Sequence, residues 1–412
     1  MLITNIKQLL QTRTKNTLLR GNNLAQLPSI SNAWLKIDAD KIVEYGTMDK
    51  CPKNEGGEII DASGKFVFPA WCDSHSHLVF ATSREEEFVM RLKGKTYQEI
   101  AQAGCGILNS AKKLQATSEG ELYESAWGRL NELIKLGTGA LEIKSGYGLT
   151  VEAELKMLRV IKKLKANSPI PIKATFLGAH AFPKEYKESH QGYIDLIVDE
   201  MLPKIANEGL ADYIDAFCEK VAFSVAETEQ IMEAGKKYGL KSKIHTNQFN
   251  CMGGIQASVK HNALSVDHLE VVNQEEIDCL ANSNTIATLL PSAPFFLGDD
   301  YPPARKLIDA NIATALSTDY NPGSSPSGNM NSAVALACIK MKMTPEEAIN
   351  AATVNSAFAM ELEDEVGSIT KGKRANLIIS KDIPSLGYIP YAFGNNHIEH
   401  VIINGKIYPH GN

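Results

Sequence analysis

The apolar and polar positions fall into two patterns, one carried by both ends of the chain and the other by its middle. At the ends the apolar runs are short, alternate with polar residues and stop at Asn, Asp or Gly. Residues 34–38, 41–45 and 58–60 behave this way near the start, and 375–379 and 400–408 near the finish. Such runs read as half-buried strands. Asn404-Gly405 between two of them is a strong two-residue hairpin signal. The two half-sets are expected to pair into one small β-sandwich domain made of residues 1–66 and 361–412.

The middle alternates near-continuously apolar, β-rich runs with amphipathic helical stretches. Eight such runs occupy residues 66–72, 139–144, 172–178, 213–218, 241–245, 263–268, 285–290 and 312–319. Unbroken apolarity suits parallel strands covered on both faces. The helices between them carry start signals: Ser118 with Glu121 and Ser224 with Glu227 fit capping boxes, and Thr344 precedes a proline at the first helical position. Eight βα units over residues 67–360 predict an α/β chain folded as a (β/α)8 TIM-like barrel. A doubly wound open sheet is the alternative, but the Gly-rich first turn of a dinucleotide-binding sheet is missing.

Composition narrows the function classes. The 412 residues are 44% hydrophobic and 22% charged, ordinary for a globular chain, which excludes a disordered or fibrous one. Net charge is -6 and no basic block stands out, so a nucleic-acid partner is not expected. Seven scattered cysteines (Cys51, Cys72, Cys105, Cys218, Cys251, Cys279, Cys338) never form a CxxC pair and read as reduced thiols. The first 16 residues lack the apolar core of a secretory signal, and no apolar run is long enough to span a bilayer. A cytoplasmic protein with no membrane partner is expected.

Polar residues crowd the C-terminal ends of the middle runs, where a barrel builds its active site. Five of the ten histidines are there: His75 and His77, His180, His245 and His268. On a strand, residues two apart face the same side, so His75 and His77 present both imidazoles together. With His245 and Asp319 from other strand ends they make three nitrogens and one oxygen, an inventory that suits one Zn or Fe ion. Such an ion lowers the pKa of its water from about 16 to roughly 7, making hydroxide available as a nucleophile at neutral pH. Asp319 is then placed as ligand and proton shuttle, and His268 as a group that polarises a carbonyl or stabilises an oxyanion.

Three further positions read two ways. A strand-end lysine, Lys144 or Lys220, could bridge a second metal after carboxylation, although only His180 and His268 remain to ligate it. Lys144 in an ion pair with Glu142 is the simpler reading. Arg84 either clamps a substrate carboxylate or is a solvated helix residue paired with Glu85, Glu86 or Glu87. The turn-rich stretch from Asn321 through Gly323 and Ser324 offers backbone N–H groups to a polar ligand, or is simply a loop.

Asp73-Ser-His75-Ser-His77, the fifth-run histidine and Ser317-Thr-Asp319 together resemble the amidohydrolase superfamily. Within it, the stretches 176–183, 289–297 and 319–327 are similar to the imidazolonepropionase family. That resemblance runs over most of the chain. It implies a metal-dependent hydrolase that opens the cyclic amide of 4-imidazolone-5-propionate to N-formimidoyl-L-glutamate in histidine degradation. It implies His75, His77, His245 and Asp319 as ligands of one zinc or iron ion, and Asp319 with His268 as catalytic groups. Arg84, Tyr147, His180, Asn321, Gly323 and Ser324 match positions that hold the small-molecule substrate, Arg84 by its propionate. The resemblance also implies a homodimer. Gln248 stands where related deaminases and some imidazolonepropionases carry a glutamate. An amide hydrogen-bonds a ring nitrogen but shuttles no proton, so Gln248 is expected to bind substrate. This departure also counts against the alternative, an amidohydrolase-type deaminase of an amino-heterocycle.

Overall fold

A computed structural model of the chain describes residues 1–53, 56–95, 99 and 106–409. Cys105 and the last three residues of the expected end domain lie outside these.

Eight parallel strands follow one another in chain order round a barrel: Trp71–Asp73, Thr138–Lys144, Ile172–Ala179, Tyr213–Cys218, Lys241–Thr246, Ser265–His268, Ile286–Leu289 and Thr314–Leu316. The first and last are joined just beyond their ends. His77 N–H donates to Tyr320 O at 2.8 Å and Asp319 N–H to His75 O at 3.1 Å. The seam is therefore formed by the backbone of the HxH motif itself. Helices such as Val151–Asn167 and Val225–Lys237 return the chain between strands, and the capping boxes at Ser118, Ser224 and Thr344 all form. Each satisfies N–H groups that the first helical turn leaves without partners.

The second sheet is built from both chain ends. Its strands lie in the order Lys41–Thr47, Ser29–Asp38, Leu2–Leu10, Lys65–Pro69, Leu377–Asp382, Ile398–Ile403 and Lys406–Ile407, with Ile59–Asp61 beside Leu2–Leu10. Ile3, Leu35, Ile42, Val67, Ile379 and Ile402, from both halves, share one apolar core, so the sheet curls over itself. The Asn404-Gly405 turn forms as expected, with φ of 49° and 73°, the left-handed pair that a two-residue hairpin requires.

Two features differ from the sequence expectation. Residues 66–72 are not one barrel strand. Lys65–Pro69 belongs to the end sheet, and only Trp71–Asp73 enters the barrel. Leu2–Leu10, central to the end sheet, shows no clean alternation because its register shifts between Ile3 and Ile6, where Asn5 has a φ of 54°. The six described cysteines are free. Among the described residues, no helix is long and apolar enough to cross a membrane.

Candidate active site

The ends of the barrel strands open into a cavity of ≈ 790 Å³. His77, Arg84, Tyr147, His180, His245, Gln248, His268, Asp319, Asn321, Gly323 and Ser324 all line it. His75, fully buried, lies beneath. The loops carrying these residues thus bring together nearly every position singled out from sequence.

Four ligand-type atoms converge at the floor. Asp319 Oδ1 is 3.4 Å from His75 Nε2 and 3.5 Å from His77 Nε2, and His77 Nε2 is 3.4 Å from His245 Nε2. Separations of about 3.4 Å are those between ligands on tetrahedral arms of about 2.1 Å. Burial, then neighbouring cations and imidazoles, pushes His75, His77 and His245 well below their usual range, which favours the neutral form that ligation would require. His75 Nε2 is buried with no hydrogen-bond partner among the described residues. The donor set fits a single Zn or Fe ion.

His75 Nδ1–H donates to Asp267 Oδ2 at 2.7 Å, which leaves Nε2 as the lone-pair nitrogen. Asp215 Oδ2 lies 2.8 Å from His245 Nδ1, off the line of a hydrogen bond, and Asp215 Oδ1 accepts the His245 backbone N–H at 3.1 Å. Lys144 reaches both carboxylates. Its Nζ is 2.8 Å from Asp215 Oδ2, 3.5 Å from Asp267 Oδ2 and 2.8 Å from Glu142 Oε1. Burial opposes its charge, but Asp215, Glu142 and Asp267 outweigh burial and hold it an ammonium. The Lys144–Glu142 pair is therefore present, and Lys144 is no bridge between two metals.

His268 and Asp319 both adopt positive φ, 91° and 54°. A non-glycine residue held there is strained, and such strain concentrates at functional sites. His268 Nδ1 pairs with Glu270 Oε1 at 3.2 Å. Burial alone would lower His268, but Glu270, Asp319 and Asp267 raise it to about 9. Burial pushes Asp319 up to about 7 against the pull of His268 and Asn321.

At the mouth, Asn321 Oδ1 accepts the N–H groups of Gly323 and Ser324, both at 2.8 Å, which folds the 321–324 loop. Arg84 lies across this loop, and a Cβ at Gly323 would collide with Arg84 Nη1. His180 stacks on His77, with centroids 5.4 Å apart, and burial lowers its pKa to about 4. Tyr147 meets His180 edge-on.

The family model for the amidohydrolase family matches residues 66–408. The chain belongs to the amidohydrolase family. Among amidohydrolases, it is 61% identical over 407 residues to the imidazolonepropionase of Flavobacterium johnsoniae, covering 98% of this chain and 99% of that one. It is 59% identical over 408 residues to the imidazolonepropionase of Christiangramia forsetii, covering 99% of each. A 5-methylcytosine deaminase from Klebsiella pneumoniae superposes with a TM-score of 0.76 over 100% of this chain and 98% of that one. At 15% identity that likeness shows the amidohydrolase fold alone.

Asp215, Asp267, Glu87, Glu270 and Lys243 were not given site roles from sequence. The signal was there for the first two. A carboxylate inside a buried apolar strand costs several kcal/mol unless something charged or polar meets it.

Proposed function

We propose that this chain hydrolyses the cyclic amide bond of 4-imidazolone-5-propionate to N-formimidoyl-L-glutamate, in the degradation of L-histidine to glutamate. The observation that carries this is the identity of 59–61% to imidazolonepropionases over the full length of both chains. The convergence of three imidazoles, Asp319 and Arg84 on one cavity supports it.

In this reading His75, His77, His245 and Asp319 hold one zinc or iron ion. When bound, that ion supplies Lewis acidity toward the substrate carbonyl and acidifies a water molecule. Arg84 binds the propionate, while Tyr147, His180 and Gln248 hold the ring, and Asn321, Gly323 and Ser324 form the loop against which it lies. Asp319 takes a proton from the attacking water. His268 donates a hydrogen bond to the carbonyl oxygen as charge develops there. The ring C–N bond then breaks, the water oxygen stays in the new carboxyl group, and Asp319 passes its proton to the departing nitrogen. A homodimer of 412-residue chains working in the cytoplasm completes the proposal.

The test is mass spectrometry of the metal-loaded protein incubated with imidazolone propionate made in situ by urocanase. The expected product is heavier by one water, matches formiminoglutamate and is absent after chelation. Survival of the substrate with metal bound would overturn the assignment. Ammonia released from an amino-heterocycle instead would establish a deaminase.

A further inference from the structure

Lys144 sits on the second barrel strand with no solvent exposure, and its side chain touches none of the four ligand atoms. It touches what lies behind them. Asp215 comes from the fourth strand and Asp267 from the sixth, and the Lys144 ammonium meets a carboxylate oxygen of each. Those same two oxygens, Oδ2 in both cases, face the Nδ1 atoms of His245 and His75. One cation is therefore shared by two carboxylate–imidazole pairs that enter the site from different strands.

The lysine is itself held in place. Its backbone N–H donates to Ser76 O at 2.8 Å, between the two histidines of the HxH motif. Glu142 takes its third side and is gripped from beyond by Lys243, whose Nζ also donates to Ser74 O at 3.0 Å and Ala359 O at 2.9 Å. Two ammonium groups thus face three carboxylates, all fully buried. Buried ion networks of this kind add little to stability relative to well-packed apolar residues. Their use is positional, because a carboxylate behind an imidazole sets its tautomer and ring orientation and raises its basicity as a ligand.

We propose that Lys144 is the positioning residue of the metal centre, fastening Asp215 and Asp267 so that His245 and His75 turn Nε2 toward the ion. This rests on the reading of His75, His77, His245 and Asp319 as a metal site, and the experiment separates the two. Zinc affinity is measured by chelator competition on the metal-stripped full-length wild type and on Lys144→Met, with the visible spectrum of the cobalt-loaded forms alongside. Wild type is expected to bind one zinc per chain. Failure there would remove the metal reading itself. Lys144→Met is expected to bind zinc about 10- to 100-fold more weakly, the range typical of lost outer partners, with a shifted cobalt spectrum. Wild-type affinity and an unchanged cobalt spectrum in a folded Lys144→Met would overturn the proposal, since a role in folding alone moves neither.

Removing one cation from three carboxylates can prevent folding. The charge-compensated pair Lys144→Met/Asp215→Asn is therefore compared with Asp215→Asn alone. The double variant is expected to bind zinc at least about tenfold more weakly, through the loosened Asp267. Equal affinities would overturn the proposal as well.

Discussion

Glu87 grips Arg84 along one edge of the guanidinium, with Nε to Oε1 at 2.7 Å and Nη2 to Oε2 at 2.5 Å. The pair is not a solvated surface bridge. Glu87 is buried, also accepts the Gly106 N–H at 2.8 Å, and lines the cavity with Arg84. Of the sequence expectations for Arg84, the pairing with a nearby glutamate is present, but it is buried rather than solvated, and it leaves Arg84 lining the cavity.

Truncating one member of a charge pair in such a pocket costs about 2–5 kcal/mol. Arg84→Ala is expected to raise KM by roughly 30-fold or more with a small change in kcat. Glu87→Gln keeps one acceptor and is expected to raise KM by about tenfold. Gly323→Ala displaces Arg84 and is expected to behave like Glu87→Gln. Steady-state kinetics check all three, and an unchanged KM in Arg84→Ala would refute the propionate clamp.

Asp319 and His268 are assigned the proton and oxyanion chemistry. Asp319→Asn or His268→Ala is expected to lower kcat by about 10²–10⁴-fold. Both variants should keep the far-UV circular dichroism of wild type. Substantial turnover in both would sink the assignment.

Glu154, on the helix Val151–Asn167, folds the loop that carries Tyr147. Its carboxylate accepts the N–H groups of Gly146, Gly148 and Leu149 at 3.1, 2.6 and 3.2 Å. Glu154→Gln turns an NH2 group toward backbone donors and strands at least one of them, at about 1–3 kcal/mol. Thermal unfolding should show a lower Tm, and kinetics a raised KM, because Tyr147 loses its fixed place.

Lys373 gives the stability profile a basic limb. Burial lowers its ammonium from the usual 10.5 to about 8, although Nζ donates to Val366 O at 3.0 Å and Ser368 Oγ at 2.7 Å. Between pH 8 and 10.5 the unfolded chain holds a proton here that the folded one has released, so this group favours folding more as pH rises. Denaturant titrations of wild type and Lys373→Met across that window should show the difference moving toward wild type. A constant difference would refute the shift.

The fold class was legible because its signal is local. Most barrel strands announce themselves by apolar runs, the helices after Ser118, Ser224 and Thr344 by their caps, and the hairpin by Asn404-Gly405. The run at 66–72 misled for a physical reason. Apolarity reports burial, not the partner, and Lys65–Pro69 and Trp71–Asp73 are buried in different sheets on either side of Ala70. Leu2–Leu10 escaped because a bulge breaks the alternation that marks a strand.

By itself the sequence determined the α/β alternation and which residues stand at strand ends, including the three imidazoles and Asp319. Periodicity and residue chemistry are properties of neighbouring positions, so these survive without coordinates. Only the tertiary structure decided what stands behind those four side chains. Lys144 finds Asp215 across 71 residues, and His75 finds Asp267 across 192. Barrel closure and strand order set those meetings, and nothing in the spacing of the chain encodes them.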